Sequence, residues 1–242
     1  MDKIKRNERL GAMTRILTDT PNRIHTLGEF CEMFGAAKST ISEDIDLVSA
    51  SFRQFDLGLI ETVAGAAGGV RYRAMPSMER CRKVLGALAK RLQEPGRMLP
   101  GGFLYTSDVT AESVTAQSLG EILAMQYYDK APDFVLTMET KGIPIALMTA
   151  RMLDVPLVIA RRDSRAYEGS AVKINYLAGG GTLQGMVDMM REFQAEVVGV
   201  CVMIATATPQ EKRVKGANSL LILEGFDRET GCAIVRPAQQ YQ

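Results

Sequence analysis

Very little in this sequence can do covalent chemistry. There is one histidine, His25, so a histidine-based metal centre or nucleophile has no second ring to work with. The four cysteines, Cys31, Cys81, Cys201 and Cys232, lie far apart with no paired spacing, which suits free, mostly buried thiols in a reducing cytoplasm. The chemistry that remains is the holding of anions. The stretch 139–144 (ETKGIP) follows an apolar run and opens a helical pattern, and Gly179, Gly180, Gly181 and Thr182 open another. At such places backbone N–H groups face an anion, with Lys141 and the Thr182 hydroxyl on hand to assist. Each stretch has a plainer reading on its own: a glycine run before a helix is usually a turn, and a lysine is usually a solvated charge.

A second anion-facing set sits near the N-terminus. The stretch 26–48 (TLGEFCEMFGAAKSTISEDIDLV) reads as two short helices around a tight turn. Thr26 and Glu29 have the spacing of a capping box. Leu27, Phe30, Cys31 and Phe34 make one apolar face, and Gly35 supplies the break. Ile41, Ile45 and Val48 point the second helix inward, leaving Lys38, Ser39, Thr40 and Ser42 at its exposed start. That is the layout of a helix-turn-helix whose second helix enters a major groove, although an ordinary helical hairpin gives the same pattern. Two details weigh against DNA: Ala37 stands where a capping serine is common, and Glu43, Asp44 and Asp46 make the helix acidic.

The elements around these residues decide between the readings. Residues 5–19 repeat Leu10, Met13 and Leu17 at helical spacing, with Lys3, Lys5, Arg6, Arg9 and Arg15 giving a locally basic start. After the second helix and its tail (Phe52, Phe55), residues 59–64 and 69–73 predict a hairpin around a Gly/Ala-rich turn. A hairpin directly behind a helix-turn-helix is the wing of a winged helix, with Arg71 and Arg73 on one face. Over residues 1–73 the 10 basic and 10 acidic side chains cancel, yet the positive ones gather at the arm, Lys38 and the wing. Three elements in the winged-helix order favour DNA over a pure protein-interaction module.

Pro76 marks the boundary between residues 1–74 and 75–242. Beyond it helices alternate with buried apolar runs, the pattern of an α/β domain with a parallel sheet. Cys81, Val84, Leu85, Leu88 and Leu92 predict a helix that packs between domains or between subunits, or a core helix within the chain. Apolar runs at 133–138, 156–161 and 196–205 predict buried strands, and 171–177 a more exposed one. Leu183, Met186, Val187, Met190 and Phe193 share a helix face. The end of the chain, with LLILEG and a glutamine-rich tail, resolves poorly. At 242 residues, 46% hydrophobic, with 29 basic and 28 acidic side chains, the chain can fill one or two cores and carries no global basic field. Its charged N-terminus offers no apolar stretch for export or spanning, so a soluble, intracellular protein is expected.

Residues 36–48 (AAKSTISEDIDLV), 64–72 (AGAAGGVRY), 97–105 (RMLPGGFLY), 137–144 (TMETKGIP) and 154–176 (DVPLVIARRDSRAYEGSAVKINY) together resemble the purine-operon repressors of Gram-positive bacteria. The resemblance covers nearly the whole chain. It implies an α/β protein in which a winged helix-turn-helix (1–74) is fused to a phosphoribosyltransferase-like, parallel-sheet domain (75–242). It further implies a homodimer that binds double-stranded DNA, with phosphoribosyl pyrophosphate as effector and no catalysis, metal or bound cofactor. Carried onto this chain, Thr140, Lys141 and Gly142 would hold the pyrophosphate. Gly179, Gly180, Gly181 and Thr182 would hold the 5′-phosphate, and Phe103 and Tyr105 fall in a loop typical of the family and close to the ligand.

One departure is large. In this fold a buried strand ending in two adjacent acids precedes the 5′-phosphate loop and binds the ribose hydroxyls. Here Asn175, Tyr176, Leu177 and Ala178 stand before Gly179, and no acid occurs between Glu168 and Asp188. A helix and a strand are missing near 177–180, roughly thirty residues by the usual length of a strand–helix–strand unit. Either a deletion has removed them, or two pieces are joined across an omitted segment. The rival reading from another class is a purine phosphoribosyltransferase with an extra N-terminal domain, against which stands the lack of a recognisable base-binding segment after residue 205. A third is a dimerising, effector-blind DNA binder.

Overall fold

The computed structural model describes residues 4–65, 68–100, 103–161, 182–208 and 212–242. Helix α1 (Arg6–Asp19) buries Met13 and Leu17 completely. Helix α2 (Leu27–Phe34) starts where the Thr26 hydroxyl accepts from Glu29 N–H at 3.1 Å. Only this half of the expected capping box forms, because the Glu29 carboxylate turns to His25 Nδ1, 3.3 Å away. Gly35 ends α2 at φ 58, a left-handed turn that a side chain would strain. Helix α3 (Lys38–Gln54) follows, with Ile41, Ile45, Val48 and Phe52 inside. Strands β1 (Leu59–Val63) and β2 (Gly69–Arg73) pair antiparallel as the predicted wing. His25 adds a third short partner: its backbone exchanges bonds of 2.9 and 2.8 Å with Val70. The helices and the wing share one core, in which the Phe30 and Phe34 rings stack at 5.9 Å and Phe52 meets Tyr72 edge-on at 5.5 Å.

Helix α4 (Met78–Leu92) takes the intramolecular alternative, with its apolar face inside the chain. Cys81, Leu85, Leu88 and Leu92 are buried within the chain, against Leu220, Leu221, Ala233, Val235 and Tyr241. A short hairpin follows, β3 (Met98–Leu99) with β4 (Phe103–Leu104), then helices α5 (Ser107–Ala111) and α6 (Ser113–Ala124). Tyr128–Lys130 form a 3₁₀ turn. Then come β5 (Val135–Met138), α7 (Ile143–Leu153), β6 (Leu157–Ala160), α8 (Thr182–Glu192), β7 (Cys201–Thr206), β8 (Asn218–Phe226) and β9 (Ala233–Pro237), with a last 3₁₀ turn at Gln239–Tyr241.

The sheet of this region is in two pieces. β5 pairs with β6 in parallel, while β7 pairs in parallel with β8, whose other edge takes β9 antiparallel. Among the described residues no strand bonds the second edge of β5 or of β7. The strand expected at 171–177 and the stretch without acids before Gly179 lie outside the described residues. A central parallel strand should be covered on both faces, and every residue of β7 keeps some exposure. Helix α8 is similarly thin in its packing. Met189 is its buried apolar residue, joined by half-covered Met186 and Met190, whereas Phe193 is largely exposed.

The two regions touch through polar groups as well as through their cores. Asn22 Nδ2 donates to Leu153 O at 2.8 Å, and the Tyr128 hydroxyl accepts from Ala74 N–H at 3.1 Å. Asp56 joins α3 to α4 by accepting from Ser77 N–H at 3.0 Å and from its hydroxyl at 2.6 Å.

Candidate nucleic-acid interface and anion-binding loops

Apolar spacing on α3 sets which residues meet solvent. With Ile41, Ile45 and Val48 inward, Lys38, Ser39 and Ser42 come out exposed at the helix start, and Thr40 is half-covered. Ala37 caps with no side chain, so the first intrahelical acceptor, Ala37 O, serves Ile41 N–H and the earlier N–H groups stay directed at solvent. The capping gap that weighed against DNA in the sequence therefore leaves donors available to a phosphate. Of the three acids, Glu43 and Asp46 are exposed, but Asp44 is fully buried. Asp44 faces α1, where Arg6 Nε lies 2.9 Å and Arg9 Nε 2.7 Å from its two oxygens. Arg6 also reaches Glu43 at 3.1 Å, so part of the acidity read from the sequence is neutralised in place.

The wing arginines separate. Arg71 Nε sits 2.6 Å from Glu61 across the hairpin and keeps part of its side chain in solvent. Arg73 does not present itself to DNA, which corrects its assignment to the interface. Its side chain is only 10% exposed and lies between β2 and the second region. It reaches Asn22 Oδ1 at 3.2 Å, Glu61 at 3.4 Å, and Asp129 and Tyr128 O at 3.5 Å each. Strand alternation put both arginines on one face, and it could not show that the end of that face is covered by the Tyr128–Lys130 turn. The Arg6–Arg9–Asp44 cluster was missed for a related reason: the arginines lie three apart on α1, and their partner is 35 residues beyond Arg9.

Thr140, Lys141 and Gly142 are exposed together at the carboxyl end of β5, immediately before α7. Open α/β sheets bind ligands at strand ends of this kind, where loop N–H groups and the helix N-terminus face one point. A Cβ at Gly142 would lie 2.7 Å from Thr137 Oγ1, so a larger residue there would have to shift that side chain. The Glu139–Thr140 peptide is cis. Gly179, Gly180 and Gly181 lie outside the described residues, and Thr182 is the first residue of α8.

Phe103 and Tyr105 project from the β3–β4 hairpin, Phe103 with 68% of its surface in solvent. The hairpin is tied down behind them. Tyr105 N–H donates to Arg97 O at 2.8 Å, and the Arg97 guanidinium clasps both oxygens of Asp108 at 3.0 and 3.1 Å. Hydrogen bonding from Arg97 holds the Asp108 carboxyl below its usual range. Among the described residues no group of histidine, cysteine and carboxylate side chains could hold a metal ion, and no helix is long and apolar enough to cross a membrane.

Residues 5–74 match the family model described as "Bacterial purine repressor, N-terminal". Over 93% of its length the chain is 34% identical to the purine biosynthesis transcriptional activator PurR of Lactococcus lactis, covering 94% of that protein. It is 33% identical to the purine biosynthesis transcriptional repressor PurR of Bacillus subtilis, over 91% of this chain and 88% of the other. A xanthine phosphoribosyltransferase of Geobacillus thermodenitrificans is 31% identical over 57% of this chain and 86% of its own. The alignment to the B. subtilis repressor runs through 251 positions and that to the L. lactis activator through 254, both longer than the 242 residues here. Those relatives therefore carry residues that have no counterpart in this chain.

Proposed function

The chain belongs to the PurR family of purine biosynthesis transcriptional regulators, and on that premise we propose that it is a DNA-binding repressor of purine biosynthesis genes with a non-catalytic, phosphoribosyltransferase-like second region. The observation that carries the reading is the start of α3. Within the stretch matched by the family model, Lys38, Ser39 and Ser42 stand exposed beside a helix N-terminus with no side-chain cap. Arg71 is the wing residue of the interface. Relatives are named both repressor and activator, and this chain acts as a repressor.

The effector of this reading is phosphoribosyl pyrophosphate, held through Thr140, Lys141, Gly142 and the glycine run into Thr182. The protein acts as a homodimer, because one winged helix makes too few contacts for tight specific binding and paired modules gain from effective concentration. The likeness to a xanthine phosphoribosyltransferase favours a second reading, an enzyme. Transfer requires a firmly held ribose, and the absence of any acid between Glu168 and Asp188 speaks against it.

Fluorescence anisotropy on a purine-operon promoter duplex, read over a range of salt, tests the proposal. Lys38→Ala should weaken binding and lower the salt slope by about one unit, the signature of one lost phosphate contact. Transcription from the same promoter in vitro should fall when the protein is added. Release of pyrophosphate from phosphoribosyl pyrophosphate and xanthine would favour the enzyme instead.

A further inference from the structure

We propose that Asp44 is a positioning residue for DNA recognition: through Arg6 and Arg9 it fixes the angle at which α3 presents Lys38, Ser39 and Ser42. The inference rests on the DNA-binding reading above and adds a role to a residue that touches no base or phosphate.

Asp44 occupies a core position on α3, with 0% of its side chain in solvent, among Ile41, Ile45 and Val48. A carboxylate in such a place needs charged partners, and it has two from a single helix: Arg9 Nε at 2.7 Å and Arg6 Nε at 2.9 Å, one on each oxygen. Arg9 is itself buried and completes its bonding by donating to Ile4 O at 3.0 Å. Apolar contacts alone, such as those of Met13, Leu17, Ile45 and Val48, allow two helices to slide and rotate at little cost. A fork of directional ion pairs does not. Buried ion pairs add little net stability over apolar residues of the same size, so the gain from this one is geometric.

Arg6 extends the effect to the surface. Its guanidinium stays half exposed and bridges from Asp44 to Glu43, which lies on the outer face of α3. Asp44 thus holds in place the cation that neutralises an acid on the recognition helix. A carboxylate that looks hostile to DNA in the sequence becomes the anchor that makes the helix fit to approach it.

The test compares affinity for a purine-operon promoter duplex with affinity for a scrambled duplex, using the full chain. In Asp44→Asn, promoter affinity should fall roughly 10- to 100-fold, the size of one or two lost base contacts, while scrambled-duplex affinity changes little. Because that variant strands the buried Arg9 cation, the Arg9→Met/Asp44→Leu pair is measured beside it. The apolar pair should melt at or above the wild-type temperature and still lose promoter preference. Wild-type preference in the folded double variant overturns the proposal. So does a double variant that fails to fold, since the pair would then hold the fold and not the angle. A wild-type protein that cannot tell the two duplexes apart defeats the DNA-binding reading itself, and the proposal with it.

Discussion

The guanidinium of Arg73 lies 4.9 Å from the centre of the Tyr128 ring, joining the last residue of the wing to the turn that precedes β5. From the same side chain, bonds run to Asn22, Glu61 and Asp129. Asn22 in turn bonds Leu153 O at the far end of α7, the helix whose start carries the Thr140–Gly142 loop. One continuous set of contacts therefore connects the wing to the helix that begins at the anion loop.

This contact makes Arg73 a stability residue. Arg73→Ala removes a shielded cation–π contact worth about 1–2 kcal/mol and its accompanying hydrogen bonds, for an expected loss of about 2–3 kcal/mol. The melting temperature should drop by several degrees, while the salt slope of DNA binding stays at the wild-type value. A slope lowered by about one unit, with no change in melting, would return Arg73 to the DNA interface.

Two glycines in helices should respond oppositely to the same change. A Cβ on Gly120 of α6 would lie 2.6 Å from Met148 Cβ and 2.8 and 2.9 Å from backbone atoms of Met148 and Thr149, so α6 and α7 cross on this residue. Gly120→Ala should cost about 1–3 kcal/mol through overpacking, more than the roughly 1 kcal/mol that alanine adds to a helix. Gly86 of α4 has nothing within 4 Å of the same added atom. Gly86→Ala should stabilise by about 0.5–1 kcal/mol. Urea unfolding of the two variants side by side decides whether the helix crossing is as tight as it looks.

The helices and wing of the first region were legible because each buries one face at its own period, as with Met13 and Leu17 on α1 or Ile41, Ile45 and Val48 on α3. What escaped was the pairing of charges across distance. Asp44 read as a solvent acid because a wheel gives its direction but not the two arginines waiting there, and Arg73 read as a free cation for the converse reason. The C-terminal strands were hard to read because β8 shifts register between Leu223 and Gly225, which breaks the alternation before β9 begins. The lack of acids between Glu168 and Asp188 was visible in the sequence, and most of that stretch lies outside the described residues.

Alkaline pH should unfold the protein cooperatively. Burial pushes the Tyr72 phenol up to about 12, with Glu121 adding to the effect, and burial, with Cys81 adding to it, takes Tyr241 to about 12. Burial raises Tyr127 and Tyr128 as well. An unfolded tyrosine titrates near 10, so the fold favours the neutral phenol. That stability is complete below about pH 10 and is lost as pH rises through about 12. With no tryptophan in the chain, tyrosinate absorbance can be followed cleanly. It should lag below pH 10 and then rise together with loss of helical circular dichroism. A smooth titration centred near 10, with the fold intact, would show that these phenols are open to water.

Phosphoribosyl pyrophosphate should bind this chain weakly. In the fold it resembles, adjacent carboxylates accept hydrogen bonds from the two ribose hydroxyls, and bonds to charged acceptors contribute about 1.5–3 kcal/mol each. Without an acid between Glu168 and Asp188, two such bonds are lost, about 3–6 kcal/mol or two to four decades of affinity. The proposed pyrophosphate loop would rely on other donors, the N–H groups ahead of α7 and the exposed Lys141 ammonium. Inorganic pyrophosphate should therefore compete almost as well as the full effector, and promoter binding should respond little to either. Calorimetry with both ligands, repeated on Lys141→Ala, measures this directly. Micromolar binding of phosphoribosyl pyrophosphate, far tighter than pyrophosphate, would mean that another acid such as Asp163 or Glu168, both outside the described residues, has taken the ribose.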